Sequence, residues 1–244
     1  MSNHIIAFSL SVLAGLVSGW LFWIFRYIIE NKSHLKIAIK AMALWKTEIR
    51  VSISYLFQIK IDGKYLLVKG NRIDQYQPVG GVFKMLPSFK EIKRSYNIID
   101  DDRLPIDETS EDDLRIRVQG KNLVKLLSWF YTRKNREVGV HREFYEELIR
   151  PEALTVDSLR DFTPEYFKTI TTNIHNSKHF SCKEILIYEI YEVVLSDYEK
   201  KQVVKFVESN PGEAVLARHD DIIKECIDSD CLSKKIGGHA KYIL

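Results

Sequence analysis

The sequence predicts an α+β domain, a mixed sheet with flanking helices, preceded by one N-terminal transmembrane helix. Three observations predict it. The 21 residues from Ile5 to Phe25 carry no formal charge. Strand-like runs separated by turn signals begin after Lys46 and return in the last third of the chain. Between them, two segments repeat their apolar residues at helical period, and the second carries three glutamates.

The chain has 244 residues, enough for one ordinary domain with an extension or for two small domains. Its 45% apolar content supports a sizeable core. The formal charge of +3 is too small for a concentrated basic face, so no DNA or RNA duplex is expected as a partner. Cys182, Cys226 and Cys231 form no paired framework and no zinc-finger spacing, which predicts reduced thiols in a cytosolic domain.

Residues 1–29 read as a transmembrane anchor. An apolar run of 21 residues crosses a hydrocarbon core of about 30 Å at about 1.5 Å per residue. Trp20 and Trp23 stand near its C-terminal end, where interfacial aromatics collect. Arg26, Lys32, Lys36 and Lys40 follow it, so the positive-inside rule places the C-terminal bulk in the cytoplasm. A cleaved signal peptide would want a basic start, a shorter apolar run and a small-x-small cleavage site, and these are missing. Ser11, Gly15 and Gly19 recur every four residues, a spacing that lets two helices approach and predicts a homo-oligomer; glycine is also simply common in membrane helices. Residues 30–46 continue at helical period among lysines and read as a juxtamembrane linker or helix that lies on anionic lipid.

Residues 47–244 form the soluble domain. Val51 to Ile59 is a strand, Asp62-Gly63 a hairpin turn, and Lys64 to Val68 the returning strand. Arg72 to Gln77 is a shorter strand ending at Pro78-Val79-Gly80-Gly81, where paired glycines permit close backbone approach or positive φ. The acidic stretch through Asp100 to Asp102 and Asp107 to Asp113 reads as a solvated loop. Lys121 to Arg133 is helical, with Leu123, Leu126, Leu127, Phe130 and Tyr131 on one side. A short break at Arg136 to Val140 leads to a second helix whose Phe144, Leu148 and Ile149 face the core, and Pro151 ends it. Lys183 to Leu195 is a long strand, Val203 to Val207 is either helix or strand, and Asn210-Pro211-Gly212 is a turn. Ala214 to Ala217 is a short strand, and Arg218 to Ile227 is helical.

The chemistry concentrates in Arg142-Glu143-Phe144-Tyr145-Glu146-Glu147. Glutamates at i, i+3 and i+4 share one face of an α-helix. Their mutual repulsion turns into an advantage when a hard divalent cation sits among them. A solvated acidic face has the same pattern.

Arg142-Glu143-Phe144-x-Glu146-Glu147 resembles the second half of the Nudix box, R-E-U-x-E-E, in which U is bulky and apolar. Pro78-Val79-Gly80-Gly81 is similar to the P-G-G that leads into that box, with one residue inserted, and the preceding hairpin also fits. The box's first half is missing. Lys134 stands eight residues before Arg142, where a glutamate belongs, and Ser128 stands at the glycine position. About sixty residues separate Gly81 from Arg142, so an insert at about 84–135 is expected in the Nudix-like sheet. A membrane anchor ahead of such a domain resembles the SMODS-associated Nudix proteins of bacterial CBASS antiphage operons.

The resemblance implies a CBASS-type effector of the bacterial inner membrane, single-pass, whose cytoplasmic domain senses a cyclic di- or oligonucleotide and triggers disruption of the lipid bilayer. The alternative it implies is a tethered, metal-dependent hydrolase of a nucleoside diphosphate-linked substrate. In that case Glu143, Glu146 and Glu147 hold Mg²⁺ or Mn²⁺, and Glu143 is also the catalytic candidate. Arg142, Gly80 and Gly81 would contribute to ligand binding, with Arg115 and Arg117 reaching phosphates.

Overall fold

Ile49, Val51, Ile53, Tyr55, Phe57, Ile59 and Ile61 alternate along the chain, and alternation at period two is what a strand with one fully buried face requires. In the computed structural model they form a single strand, β1 (Glu48–Ile61), and all of these residues are buried. Burying each such side chain contributes about 1.5–3 kcal/mol relative to leaving it exposed. The structure describes residues 32–70, 73–103, 112–149, 163–227 and 230–244, with single positions at 18 and 26.

A helix, α1 (Lys32–Ala43), precedes β1. After β1, Asp62 and Gly63 take φ of 47° and 80°, as a two-residue hairpin turn demands, and the chain returns as β2 (Lys64–Lys69). β3 (Tyr76–Pro78) pairs with β2, so the expected strand before the glycines is three residues long and lies closer to Pro78. β4 (Gly80–Val82) pairs antiparallel with the middle of β1.

The described residues of the expected insert, 84–103 and 112–135, belong to the body of the domain. They supply α2 (Phe89–Ser95), β5 (Ile99–Asp100), β6 (Arg115–Gln119) and α3 (Gly120–Tyr131). β6 pairs antiparallel with β1 from Glu48 to Ser52, and α3 buries Leu123, Leu126, Leu127 and Phe130. The expectation of a solvated acidic loop fails at its two ends. Asp101 and Asp113 are buried, each because an arginine or lysine compensates its charge, and 104–111 lie outside the described residues.

β7 (Glu165–Thr171) and β8 (His175–Asn176) both pair with β9 (Lys183–Val193). β9 runs parallel to β1, in register from Ile49–Lys183 to Ile59–Val193. Val203 to Val207 resolves as part of a helix, α5 (Asp197–Ser209), opened by a capping box between Ser196 and Glu199. β10 (Ala214–Ala217) adds to the edge of β2. The helix expected over Arg218 to Ile227 is shorter: α6 (His219–Ile223) stops before Glu225, whose φ of 55° breaks helical geometry, and Cys226–Ile227 forms β11 against β12 (Asp230–Lys235). A final 3-10 turn spans Ala240–Ile243. Among the described residues the main sheet has ten strands, in the order β10–β2–β1–β6–β5 with β9 also on β1.

Two apolar clusters result. The larger packs the odd-numbered side of β1 against α3 and Phe144; the smaller packs Leu56, Tyr188 and Ile190 under Ile236, Ala240 and Ile243. The expectation of three reduced thiols is corrected: Cys182 is free, but Cys226, which is buried, is disulfide-bonded. Among the described residues no helix is long and apolar enough to cross a membrane. Residues 5–25 lie outside the described residues except Ser18, and so do Ser11, Gly15, Gly19 and Pro151.

Candidate functional site

The acidic segment opens as a short α-helix, α4 (His141–Phe144), and continues through Tyr145–Ile149 as a π-helical turn. Its apolar residues fix it to the sheet: Phe144, Leu148 and Ile149 are buried, as the period predicts, and so is Val140 just before the helix. The Phe144 ring meets Phe57 of β1 edge to face, 5.8 Å between centroids. The π turn is a departure. Its backbone spacing is wider than that of the α-helix the sequence predicts. π segments inside helices are frequent at functional sites. Of the three expected carboxylates, the side chains of Glu143 and Glu147 lie outside the described ones, and Glu146 is exposed.

Arg142 organises the described part of the site. Its Nη1 donates to Glu146 Oε2 at 3.1 Å, one turn along the helix. Its Nε and Nη2 donate to the two oxygens of Glu137, each at 3.3 Å. Nη2 also donates to the Val82 carbonyl at 3.4 Å. Two-point contact of this kind fixes the plane of a guanidinium as well as its position. Glu137 is the residue that the spacing of the box does not reveal. Lys134, at the position of the missing glutamate, stands exposed in the turn between α3 and Glu137. The carboxylate comes instead from five residues before Arg142, after a bend at Asn135 with φ of 64°.

Glu137 is itself held on the neighbouring chain. The Lys84 main-chain N–H donates to its Oε2 at 3.2 Å, and its own N–H donates to the Lys84 carbonyl at 2.8 Å. Lys84 Nζ pairs with Asp113 at 2.8 Å, and the other Asp113 oxygen takes Arg115 Nη2 at 3.3 Å. Arg115 is therefore joined to the Arg142 site through Asp113 and Lys84. Next to Glu137, Arg136 is buried, with its guanidinium over the rings of Phe83 and Phe130 at 4.6 and 4.0 Å, and paired with Glu189 of β9 at 3.1 Å. Burial lowers its pKa from the ordinary arginine value, and Glu189 opposes that shift.

The glycine pair serves the site through the backbone. Gly80 has φ of 154°, and a Cβ there would stand 2.2 Å from the Tyr55 carbonyl oxygen. The absent side chain lets β4 lie against β1, and β4 carries the Val82 carbonyl to Arg142. Gly81 pairs with Tyr55 in the same ladder.

Arg117 points elsewhere. It pairs with Glu48 at 3.1 Å and Asp102 at 3.0 Å, beside a groove of about 540 Å³ lined by residues including Glu48, Arg103, Phe180, Cys182 and Lys183. Beneath the groove, Arg50 binds Asp101 at 2.6 Å and Glu184 at 3.1 Å, and the Phe180 ring covers its guanidinium at 4.9 Å. Burial raises the Cys182 thiol pKa above its ordinary value, so this thiol is protonated at neutral pH. Arg115 and Arg117, two positions apart on β6, thus belong to separate networks.

Among the described residues no group of three or more His, Cys, Asp and Glu is placed to hold a metal ion. Glu146 is a single carboxylate already shared with Arg142, and Glu137 is committed to Arg142 and Lys84, so the described donors do not make a cation site by themselves.

A model of the SMODS-associated NUDIX domain matches residues 48–244 of the chain. No curated protein and no solved structure matches it.

Proposed function

The chain belongs to the family of SMODS-associated NUDIX domains, and from this premise we propose that it is the membrane-anchored effector of a CBASS-type antiviral system, sensing a cyclic di- or oligonucleotide through its Nudix-like domain and answering with disruption of the bilayer. Arg142 carries the sensor part of the proposal. Its guanidinium is held by Glu137 from outside the box and in turn holds Glu146 of the box. The helix is kept in place although the first half of the motif is gone, which is what a retained binding surface needs. The uncharged run from Ile5 to Phe25 and the basic residues after it support a single-pass anchor in the inner membrane with the domain on the cytoplasmic side. A nucleotide acts as a signal only if it binds one arrangement of a homo-oligomer better than another, since equal affinity shifts nothing.

One observation favours the hydrolase as a second reading. The grip of Arg142 on Glu146 also orients a carboxylate for a cation. On this reading Mg²⁺ or Mn²⁺, held by Glu146 with Glu143 and Glu147, supplies Lewis acidity to a diphosphate.

The experiment is titration of the full-length chain in nanodiscs with a panel of cyclic di- and trinucleotides, followed by analysis of the mixtures for cleavage with and without Mg²⁺. Tight binding with recovery of intact ligand, weakened by Arg142→Ala, is the expected result. Metal-dependent turnover abolished by Glu146→Gln establishes the hydrolase instead. Absence of binding to every cyclic nucleotide sinks the sensor reading.

A further inference from the structure

α1 has two apolar faces, and the domain uses one of them. Ile37 and Ala41 are buried against α3. Leu35, Ile39 and Met42, at i, i+4 and i+7, lie about half a turn away and face outward. They are 44%, 60% and 65% exposed, and Trp45, just past the helix, is 53% exposed. One exposed apolar side chain needs no explanation, but a stripe of three on one helix with a tryptophan just past its end does. Lys32 and Lys36 are exposed along one flank of the stripe.

We propose that this outer face of α1 lies in the head-group region of an anionic lipid bilayer. The inference rests on the membrane-anchor reading and goes beyond it, because it fixes which face of the domain meets the lipid. Three observations favour lipid as the occupant. Residues 26–31 separate the uncharged run from α1, a tether of at most about 20 Å when fully extended, so α1 starts within reach of the membrane surface. The lysines beside the apolar stripe match the pattern of interfacial helices, whose apolar side enters the acyl boundary while basic side chains meet anionic head groups. The buried and exposed faces are opposed, so lipid can cover Leu35, Ile39 and Met42 with the domain held on the far side of the helix.

The attachment is also stiff. α1 is fastened to the domain by the Lys40 ammonium, which donates to the Ile174 carbonyl at 2.6 Å, and by Gly120 at the start of α3. A Cβ on Gly120 would stand 2.4 Å from the Ala41 carbonyl oxygen and 2.3 Å from that of Leu44. A helix lying on the bilayer through this joint holds the whole sheet in one orientation above the membrane.

The test uses the full-length chain reconstituted in vesicles of phosphatidylethanolamine and phosphatidylglycerol. Benzoylphenylalanine replaces Ile39 in one preparation and Val194, 81% exposed at the end of β9, in another. Irradiation is expected to add the mass of a phospholipid to the peptide containing position 39 and not to the one containing position 194. A protein–protein adduct at position 39 assigns the stripe to a second copy and overturns the proposal, as does the lack of any adduct there. Vesicle flotation of the same preparations reads the anchor separately. Failure to float removes the membrane reading itself, whereas flotation without a lipid adduct at position 39 removes only this inference.

Discussion

Glu137 accepts hydrogen bonds from Arg142 through both oxygens and from the Lys84 main-chain N–H through one. Changing it to glutamine keeps an acceptor but removes the charge and leaves the guanidinium half-satisfied. Because both groups keep some contact with water, Glu137→Gln should cost only about 1 kcal/mol, read as a shift of the urea midpoint. Lys134→Glu restores the glutamate of the box at its own position and should leave stability within about 0.5 kcal/mol and nucleotide binding unchanged, since that side chain stands in solvent. The motif in the sequence identifies Arg142 and the glutamates after it. It does not reveal Glu137, because the distance along the chain from carboxylate to arginine depends on a bend at Asn135 that has no spacing rule. A second residue gives the fold a pH dependence. The His239 ring stacks on Tyr188, 5.9 Å between centroids and 8° from parallel. Burial, with a contribution from His179, brings its pKa down from 6.5 to about 4. The unfolded chain then takes up a proton near pH 6.5 that the folded chain refuses, so the stabilisation is complete above pH 6.5 and is lost as pH falls toward 4. The residue keeps some exposed surface, which limits the loss to about 2 kcal/mol. Urea unfolding between pH 7 and 4.5 should show it, and His239→Gln should flatten the profile.

Among the elements, the joint between α1 and α3 is the most sensitive to a single methyl group. Gly120→Ala places a Cβ against two carbonyl oxygens of the preceding segment, so either α1 lifts or α3 moves. A loss of about 2–3 kcal/mol is expected. Hydrogen exchange should accelerate across residues 32–44, and unchanged protection there would show that the contact is not structural. The elements differ in how far the sequence announced them. The β1–β2 hairpin was plain, because period-two alternation and Asp62-Gly63 say the same thing. α5 was ambiguous at Val203 to Val207, where β-branched residues argue against a helix and only Val203 is buried; the capping box at Ser196 settles it. β7 had no such sign. Its residues stand at the sheet edge with both faces partly open to solvent, so no alternation was selected. The π turn at Tyr145–Ile149 continues the short α-helix in a wider backbone geometry, and no sequence period announces it.

At the scale of the whole molecule, β1 divides two cores, and both depend on it. Tyr55 and Phe57 point into the larger cluster and Leu56 into the smaller. The smaller one is closed by the C-terminal segment, and Ile227, one of its members, follows the disulfide-bonded Cys226. A native disulfide contributes about 2–4 kcal/mol, and about 1 kcal/mol moves the melting temperature of a domain of this size by about 2–4 °C. Reduction of the purified protein should therefore lower its melting temperature by several degrees in scanning calorimetry, and an unchanged transition would show that the bond does not bear on this core. Cysteine spacing predicted thiols, and it could not show that the chain brings Cys226 into a hairpin. The seating of α1 has a mechanical consequence. A 12-residue helix is about 18 Å long, so tilting its seat on α3 by about 10° sweeps the Lys32 end through about 3 Å. α3 follows β6 without a linker, and β6 is hydrogen-bonded to β1. Any ligand that turned β6 against β1 would swing α1 as a pointer, with the largest travel at its Lys32 end.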